Sequence, residues 1–391
     1  MNKFASIIFS LSVASSLPAF SITVSEVVDA IASNNISLQA QELENKSEIL
    51  SLRKENSLPP TAIEFSPFFT SGESGMSSSE LIVRQDFEFP TIYANRSKSA
   101  TLRQNALQKD MDLKIRQLKA DARSKCLELI YARKCREILQ KRISIGDSLL
   151  SSYELKYRLE EVNLLEVNKI KLANSDLRRE LAENTLLCSN LMQSIQLLNS
   201  GKAINLDSLT YEYSAVSYPL PSDIEALKNN NADILSAAAA VKAAQAEVAV
   251  GKQSWLPSLS IGYRRNTDGS TVSNGVLVGA EFPLFSIGKE SKAASARLAA
   301  SNLTLQNAEY EATIRLQGEL ERLKTLQSSM ALFDADSPVL MQTLQLLRKS
   351  LELGQISLTD YYIETGILYD RMQTRATLEN DFQTLLTSLY Q

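Results

Sequence analysis

Apolar and polar positions along this chain follow two periods, and the order of those periods is written twice. Residues 25–57 and 221–255 each read as a helix, closed by Leu58-Pro59-Pro60 and Leu256-Pro257-Ser258. Proline cannot continue a helix and pushes its predecessor out of the helical region. Alternation of period two then predicts strands over 62–70 and 80–89 and, in the second half, over 258–266 and 276–285. The turn-rich Ser71-Gly72-Glu73-Ser74-Gly75 splits the first pair and Thr267-Asp268-Gly269-Ser270 the second. Asp-Gly and Gly-Ser steps are hairpin turns. Beyond each hairpin the period lengthens to about 3.6. Leu107, Met111, Ile115, Leu118 and Ala122 follow it in the first half, and Ala308, Ala312, Leu316, Leu320 and Leu323 in the second. Long helices are therefore expected over 92–157 and 287–353, with Pro338 a possible kink in the latter. At 1.5 Å per residue each is ~100 Å long, which a compact globular domain has no use for. Breaks near Glu160-Glu161 and Gly354-Gln355 precede returning helices that run to Asn199 and Tyr390.

The chain is thus a tandem duplication with an offset of about 195 residues. Ala30-Ile31-Ala32-Ser33-Asn34-Asn35 resembles Ala226-Leu227-Lys228-Asn229-Asn230-Asn231, Glu88-Phe89-Pro90 matches Glu281-Phe282-Pro283, and Val162-Asn163-Leu164-Leu165-Glu166 resembles Ile356-Ser357-Leu358-Thr359-Asp360. The first repeat occupies 22–205 and the second 206–391, each a helix, a hairpin, a long helix, a tip turn (159–162 and 353–356) and a return helix.

In the first hairpin Ile63, Phe65, Leu81, Val83, Phe87 and Phe89 share one face, and Glu64, Ser66, Arg84, Asp86 and Glu88 the other. In the second, Leu259, Ile261 and Tyr263 alternate with Ser260, Gly262 and Arg264. Such alternation suits a membrane barrel strand with a wet lumen, and equally any half-buried antiparallel sheet. Four strands cannot close a membrane barrel. An open edge in lipid leaves backbone groups unpaired, so membrane insertion requires several copies, and three give twelve strands.

Residues 1–21 read as an export signal: Lys3, an apolar run from Phe4 to Val13 and a small-x-small site at Ala19-Phe20-Ser21. No later stretch has ~18 uninterrupted apolar residues, so no transmembrane helix is expected. Formal charge is −4, and −5 without Lys3; no basic stripe favours nucleic acid. The chain has no histidine, which removes the commonest general base and zinc ligand together. Cys126, Cys135 and Cys188 form no CxxC pair. With the turn at Glu160-Glu161, Cys135 on the long helix faces a position near 186 on its return partner, making Cys135 and Cys188 neighbours. An oxidising compartment permits a bond between them, and free buried thiols are the alternative.

Leu-Pro-Ser-Leu-Ser-Ile-Gly-Tyr at 256–263, Phe-Pro-Leu-Phe at 282–285 before a long helix, and the tip sequences together resemble the TolC-like outer membrane efflux proteins. The family's tip has a Tyr three residues before a Gly and an acidic residue six after it. Gly354 and Asp360 fit, with Leu351 in the Tyr place; Tyr157 and Glu166 fit, with Glu160 in place of the Gly. The resemblance implies a mainly α protein with a small β part: a homotrimer whose twelve-stranded β-barrel in outer-membrane lipid joins a long α-helical periplasmic tunnel. It implies a passive duct without cofactor or catalysis, docked to a periplasmic adaptor and an inner-membrane transporter of the RND type. The strand sequences are most similar to members labelled heavy-metal efflux, which leaves drugs and metal ions both open as cargo. Glu166 and Asp360 are the candidate periplasmic aperture; Leu159, Glu160, Glu161, Val162, Leu353, Gly354, Gln355 and Ile356 are the candidate adaptor contacts. Carboxylates also suit a helix N-terminus for their own sake.

A periplasmic coiled-coil adaptor or tether is the alternative. Adaptors carry one helical hairpin between β domains, whereas this chain has two equivalent hairpins and little β. No phosphate loop, nucleophile elbow or ligand cluster supports an enzyme. The Ala-rich stretches at 237–240 and 293–296 mark either close helix packing or simple helix propensity. Trp255 and Tyr263 are either membrane-interface anchors or ordinary packing.

Overall fold

A computed structural model describes residues 22–72, 74–283 and 288–389. The export signal, Glu73, Leu284 and Phe285 of the strand exit, Ile287 at the expected start of the second long helix, and Tyr390 at the expected end of its partner lie outside the described residues.

The opening helix of each repeat, expected as one, is two. In the first repeat α1 (Val24–Asn34) stops at Asn35, whose extended backbone (φ −68°, ψ 113°) also starts α2 (Ile36–Glu55). The Asn35 side chain accepts from the Leu38 N–H at 3.0 Å, the ordinary work of a helix N-cap. Its amide donates to the Leu198 carbonyl at 2.9 Å, and Asn34 donates to Asn199 Oδ1 at 2.9 Å, so the break is tied to the end of the return helix. The second repeat breaks at the matching place, between α5 (Ile224–Asn229) and α6 (Ala232–Gly251), with Asn231 as the cap on Ile234. The repeated asparagines were the signal.

The strands are β1 (Ala62–Phe68), β2 (Ser78–Phe87), β3 (Ser258–Asp268) and β4 (Thr271–Glu281). They form one antiparallel sheet in chain order, and the β2–β3 pairing joins the two repeats. Glu88 and Phe89, expected in a strand, instead start the long helix: Phe89 is its N-cap, Pro90 its first residue, and Glu88 pairs with Arg96 at 2.7 Å. β4 begins five residues earlier than alternation predicts. Asp268 pairs with Thr271, so the turn is only Gly269-Ser270, with Gly269 left-handed at φ 54°. Within β4, Ser273, Asn274 and Gly275 are strand because β3 pairs with them, not because of their own propensity.

The long helices are α3 (Pro90–Arg158) and α7 (Lys289–Glu352); α4 (Leu164–Leu198) and α8 (Leu358–Leu389) return alongside them. Helix α7 runs through Pro338, which lies on its exposed side. Two cores of matching design sit at mid-height. Val27 and Ile31 of α1 pack with Leu129 of α3, Ile195 of α4 and Leu206. Leu316, Leu323 and Met330 of α7 pack with Phe382 of α8 and with Ile224 and Leu227. The connecting segment between the repeats has no regular structure, so its carbonyls need other donors. Gln327 Nε2 serves Ala215, Val216 and Tyr218, Gln383 serves Tyr213, and Arg133 serves Leu206.

Helix α6 is long and apolar enough to cross a membrane, although charged residues interrupt its apolar sequence. It packs instead between α3 and α7. Ala239 and Ala243 press on Ala106 and Leu102 of α3, so the first Ala-rich stretch is close helix packing. A Cβ on Gly251 would come within 3.2 Å of the Ser291 backbone of α7. Of the second Ala-rich stretch, Ala293 and Ala296 are exposed.

Candidate channel mouth and membrane-facing sheet

Both helical tips are built the same way. At the end of α3 the Glu161 N–H reaches the Lys156 carbonyl (2.9 Å) and the Glu160 N–H the Tyr157 carbonyl (3.0 Å). At the end of α7 the Gln355 N–H reaches Ser350 (2.8 Å) and the Gly354 N–H reaches Leu351 (3.1 Å). These paired bonds are the Schellman closure, which needs a left-handed residue between them. That residue is Gly354 (φ 67°) in one tip and Glu160 (φ 62°) in the other.

The return helices then begin with capped turns. Asn163 accepts from the Glu166 N–H at 3.0 Å. Ser357 accepts from the Asp360 N–H at 3.1 Å, and Asp360 Oδ2 accepts back from the Ser357 hydroxyl at 2.6 Å and its N–H at 3.3 Å. Asp360 is therefore the carboxylate of a capping box, while Glu166 occupies the same place without the reciprocal bond. Asp360 is exposed and Glu166 half-buried. Near Glu166 the Tyr153 hydroxyl is pushed up, by burial first and by that carboxylate second.

The structure brings the two tips together. Tyr153, Val167 and Ile170 of the first pack against Leu351, Leu358 and Tyr361 of the second, with Val162 and Ile356 at the margin. Lys169 donates to Thr359 across the junction at 3.2 Å. Higher up, Arg142 lies 5.0 Å over the Tyr369 ring, Tyr131 bonds Thr377 at 3.0 Å and Lys134 meets Glu379 at 2.8 Å. Sequence reasoning missed this ladder because no local pattern reveals which helices of different repeats are neighbours. At the turns themselves Leu159 and Leu353, in equivalent places, are 60% and 62% exposed, and Glu160, Glu161, Gly354 and Gln355 are also exposed.

Cys126, Cys135 and Cys188 are all free and buried. Burial pushes Cys126 up to about 12 and raises Cys135, to which Cys188 adds a smaller push. Among the described residues no group of three His, Cys, Asp or Glu side chains could hold a metal ion.

At the other end, the sheet register sorts the strand residues cleanly. Ile63, Val83, Tyr263 and Val276 form one row across all four strands. Val276 and Val278 are 78% and 79% exposed, and Ile63, Phe65 and Ile261 also lie open. The opposite face is polar, with a Glu80–Arg264 ion pair and Arg84 3.1 Å from Asp86. Trp255, at the start of β3, is exposed rather than packed within the chain. Among the described residues no element covers the apolar face, and the outer edges of β1 and β4 have no strand partner.

Residues 224–391 match the protein family described as outer membrane efflux protein. No curated protein sequence matches the chain. Among solved structures, a membrane protein from Pseudomonas aeruginosa superposes with a TM-score of 0.78 at 15% identity, covering 94% of this chain and 92% of that one. The CmeC outer membrane channel of Campylobacter jejuni gives 0.77 at 13% identity, covering 94% and 84%. The outer membrane protein VceC of Vibrio cholerae gives 0.74 at 14%, covering 94% of each. At such identities the likeness is one of fold, and it extends over both repeats, while the family match lies in the second. Residues 224–391 thus carry an outer membrane efflux protein domain, and the chain as a whole has the fold of these outer-membrane channels.

Proposed function

We propose that three copies of this chain close their sheets into one twelve-stranded barrel in the outer membrane, continuous with a helical tunnel through the periplasm. The single observation behind this reading is the four-stranded sheet, which exposes an apolar face and leaves both edges unpaired. In lipid every backbone group must be bonded internally, so such a sheet is stable only when other sheets close it. The helices supply a second reason. Leu303, Tyr310 and Leu332 of α7 and Leu172, Leu186 and Leu197 of α4 are all more than 60% exposed, a stripe that neighbouring protomers would cover.

The assembly is a passive duct for small exported molecules, drugs or metal ions. It joins a periplasmic adaptor and an inner-membrane pump, in our reading of the RND type. Leu159 and Leu353, with the turns around them, offer apolar knobs to the adaptor. Glu166 and Asp360, each repeated three times, would ring the periplasmic mouth with carboxylates and favour cations there. The duct needs no cofactor and performs no reaction.

Light scattering of the detergent-purified protein, with planar-bilayer recording, tests the proposal. A trimer of the 43.3 kDa chain, less any leader removed, that dissociates on heating and conducts is the expected result. Extraction from membranes by salt alone would instead fit a tether, and a conducting monomer would overturn the three-copy barrel.

A further inference from the structure

The apolar face of the sheet carries one charge. Along β3 that face reads Leu259, Ile261, Tyr263, Arg265, Thr267 from the helix end to the turn. The pairing register places every other charged residue of the four strands on the opposite face. Arg265 is exposed and makes no ion pair among the described residues. It stands directly across from Asn274 of β4. The Tyr263 hydroxyl donates to Asn274 Oδ1 at 2.6 Å, which holds the amide with its Nδ2 hydrogens free to donate. The guanidinium and the amide N–H₂ thus belong to directly paired residues of β3 and β4, and neither has a hydrogen-bond acceptor among the described residues.

Their height on the strand defines the partner. The helices leave the sheet at the Leu259 end, so the Gly269 turn faces outward. Arg265 lies four residues before that turn, about 13 Å along the strand. On β3 the apolar run from Leu259 to Tyr263 stops there; Arg265 shares its register row with Phe65 and Leu81, about 20 Å along the strand beyond Leu259, and its long side chain can extend from there toward the outer interface. An arginine facing lipid is costly at mid-membrane and nearly free at the interface. At that depth the available anions are headgroup phosphates, and a guanidinium is suited to bind phosphate through two parallel hydrogen bonds.

We infer that Arg265 and Asn274 form a phosphate-binding site for a lipid headgroup of the outer leaflet, repeated once per protomer around the barrel. The inference rests on the barrel reading above. A bound lipid at each site would brace the β3–β4 hairpin, which in each protomer ends in an unpaired edge before assembly.

The test uses the full-length protein in neutral detergent with bisphosphorylated lipid A, chemically dephosphorylated lipid A, or inorganic phosphate. Native mass spectrometry reads retained lipid, and the temperature at which the trimer dissociates on a gel reads bracing. Wild type should retain the phosphorylated lipid and dissociate at a higher temperature with it, and gain nothing from the other two additions. Arg265→Gln should weaken retention about tenfold or more, the size of a lost charge-assisted bond. Arg265→Lys and Asn274→Ala should fall between and serve if Arg265→Gln fails to assemble. Equal retention of the phosphorylated and dephosphorylated lipids, unchanged retention in all three variants, or an equal gain with inorganic phosphate would overturn the site. A wild-type chain that forms no trimer and enters no bilayer would instead overturn the barrel itself.

Discussion

Glu160 and Gly354 hold the same left-handed backbone conformation, φ 62° and 67°, at equivalent positions of the two helical tips. The closure of each tip dictates the angle, whatever residue is there. A residue with a Cβ loses about 1–2 kcal/mol in this region. Glycine returns part of that gain as extra freedom in the unfolded chain. Glu160→Gly should therefore raise stability by about 1 kcal/mol, and Gly354→Ala should lower it by a similar amount. Nothing lies within 4 Å of a Cβ at Gly354, so backbone strain is its only cost. Denaturant midpoints in detergent check both; a loss of stability in Glu160→Gly would show that its carboxylate has work at the tip.

Helices α3 and α4 touch at Gly146. A Cβ there would lie 2.0 Å from Asn174 Oδ1. Asn174 is held in place by its bond to Asp147 (3.1 Å), which also pairs with Arg178 (2.8 Å). Gly146→Ala should cost about 1–3 kcal/mol by overpacking. The added loss should shrink in an Asn174→Ala background, giving a coupling that a double-mutant cycle measures. Additive losses would mean that the two residues do not meet.

Asp360 and Glu166 are expected to act alike on ion passage and differently on stability. Asp360→Asn and Glu166→Gln should each reduce cation preference in single-channel recordings, since each removes three negative charges from the proposed mouth. Asp360→Asn should also weaken its capping box, at about 0.5–2 kcal/mol. If selectivity and conductance stay unchanged in both variants, the carboxylates serve their helices alone.

Thiol chemistry should be silent in the folded protein. The thiolate is the reactive form, and burial pushes the Cys126 thiol up to about 12 and raises Cys135. Iodoacetamide at neutral pH should leave the native trimer unmodified and alkylate three residues per chain after unfolding without reductant. Only one alkylated residue would reveal a Cys135–Cys188 disulfide in the exported protein.

Glu319 makes stability fall as pH rises. Its carboxyl is raised by burial, against the lowering effect of the Ser388 hydroxyl, which donates to it at 3.0 Å, and of Arg315. A carboxyl whose folded pKa exceeds the unfolded one binds more protons when folded. Its contribution is complete below the ordinary glutamate range and is lost as pH climbs through the raised value. Glu319→Gln should flatten that part of the profile and raise the melting temperature at neutral pH. A lower melting temperature at every pH would assign the charge a favourable partner instead.

Which segments are helix and which are strand is legible from the chain alone. Period is a local property, and 3.6 and 2 are readily told apart over runs as long as 90–158 and 62–87. The helix ends at Glu160 and Gly354 were legible as well, because turn chemistry is carried by a few adjacent residues. The break at Asn35 was legible too, had Asn34-Asn35 and Asn230-Asn231 been read as caps and not only as a repeated motif. Everything that depends on partners distant in sequence was visible only once the chain was folded. The β2–β3 pairing makes one sheet from two hairpins, and the β3–β4 pairing carries β4 through Ser273, Asn274 and Gly275, residues whose own propensity is poor. Packing between α3 and α7 makes α6 an interior helix, though its composition would suit a membrane. The meeting of Tyr153 with Tyr361 and of Lys134 with Glu379 joins residues 208 and 245 positions apart. Such contacts follow from how packed helices and paired strands align in space, which no window along the chain contains.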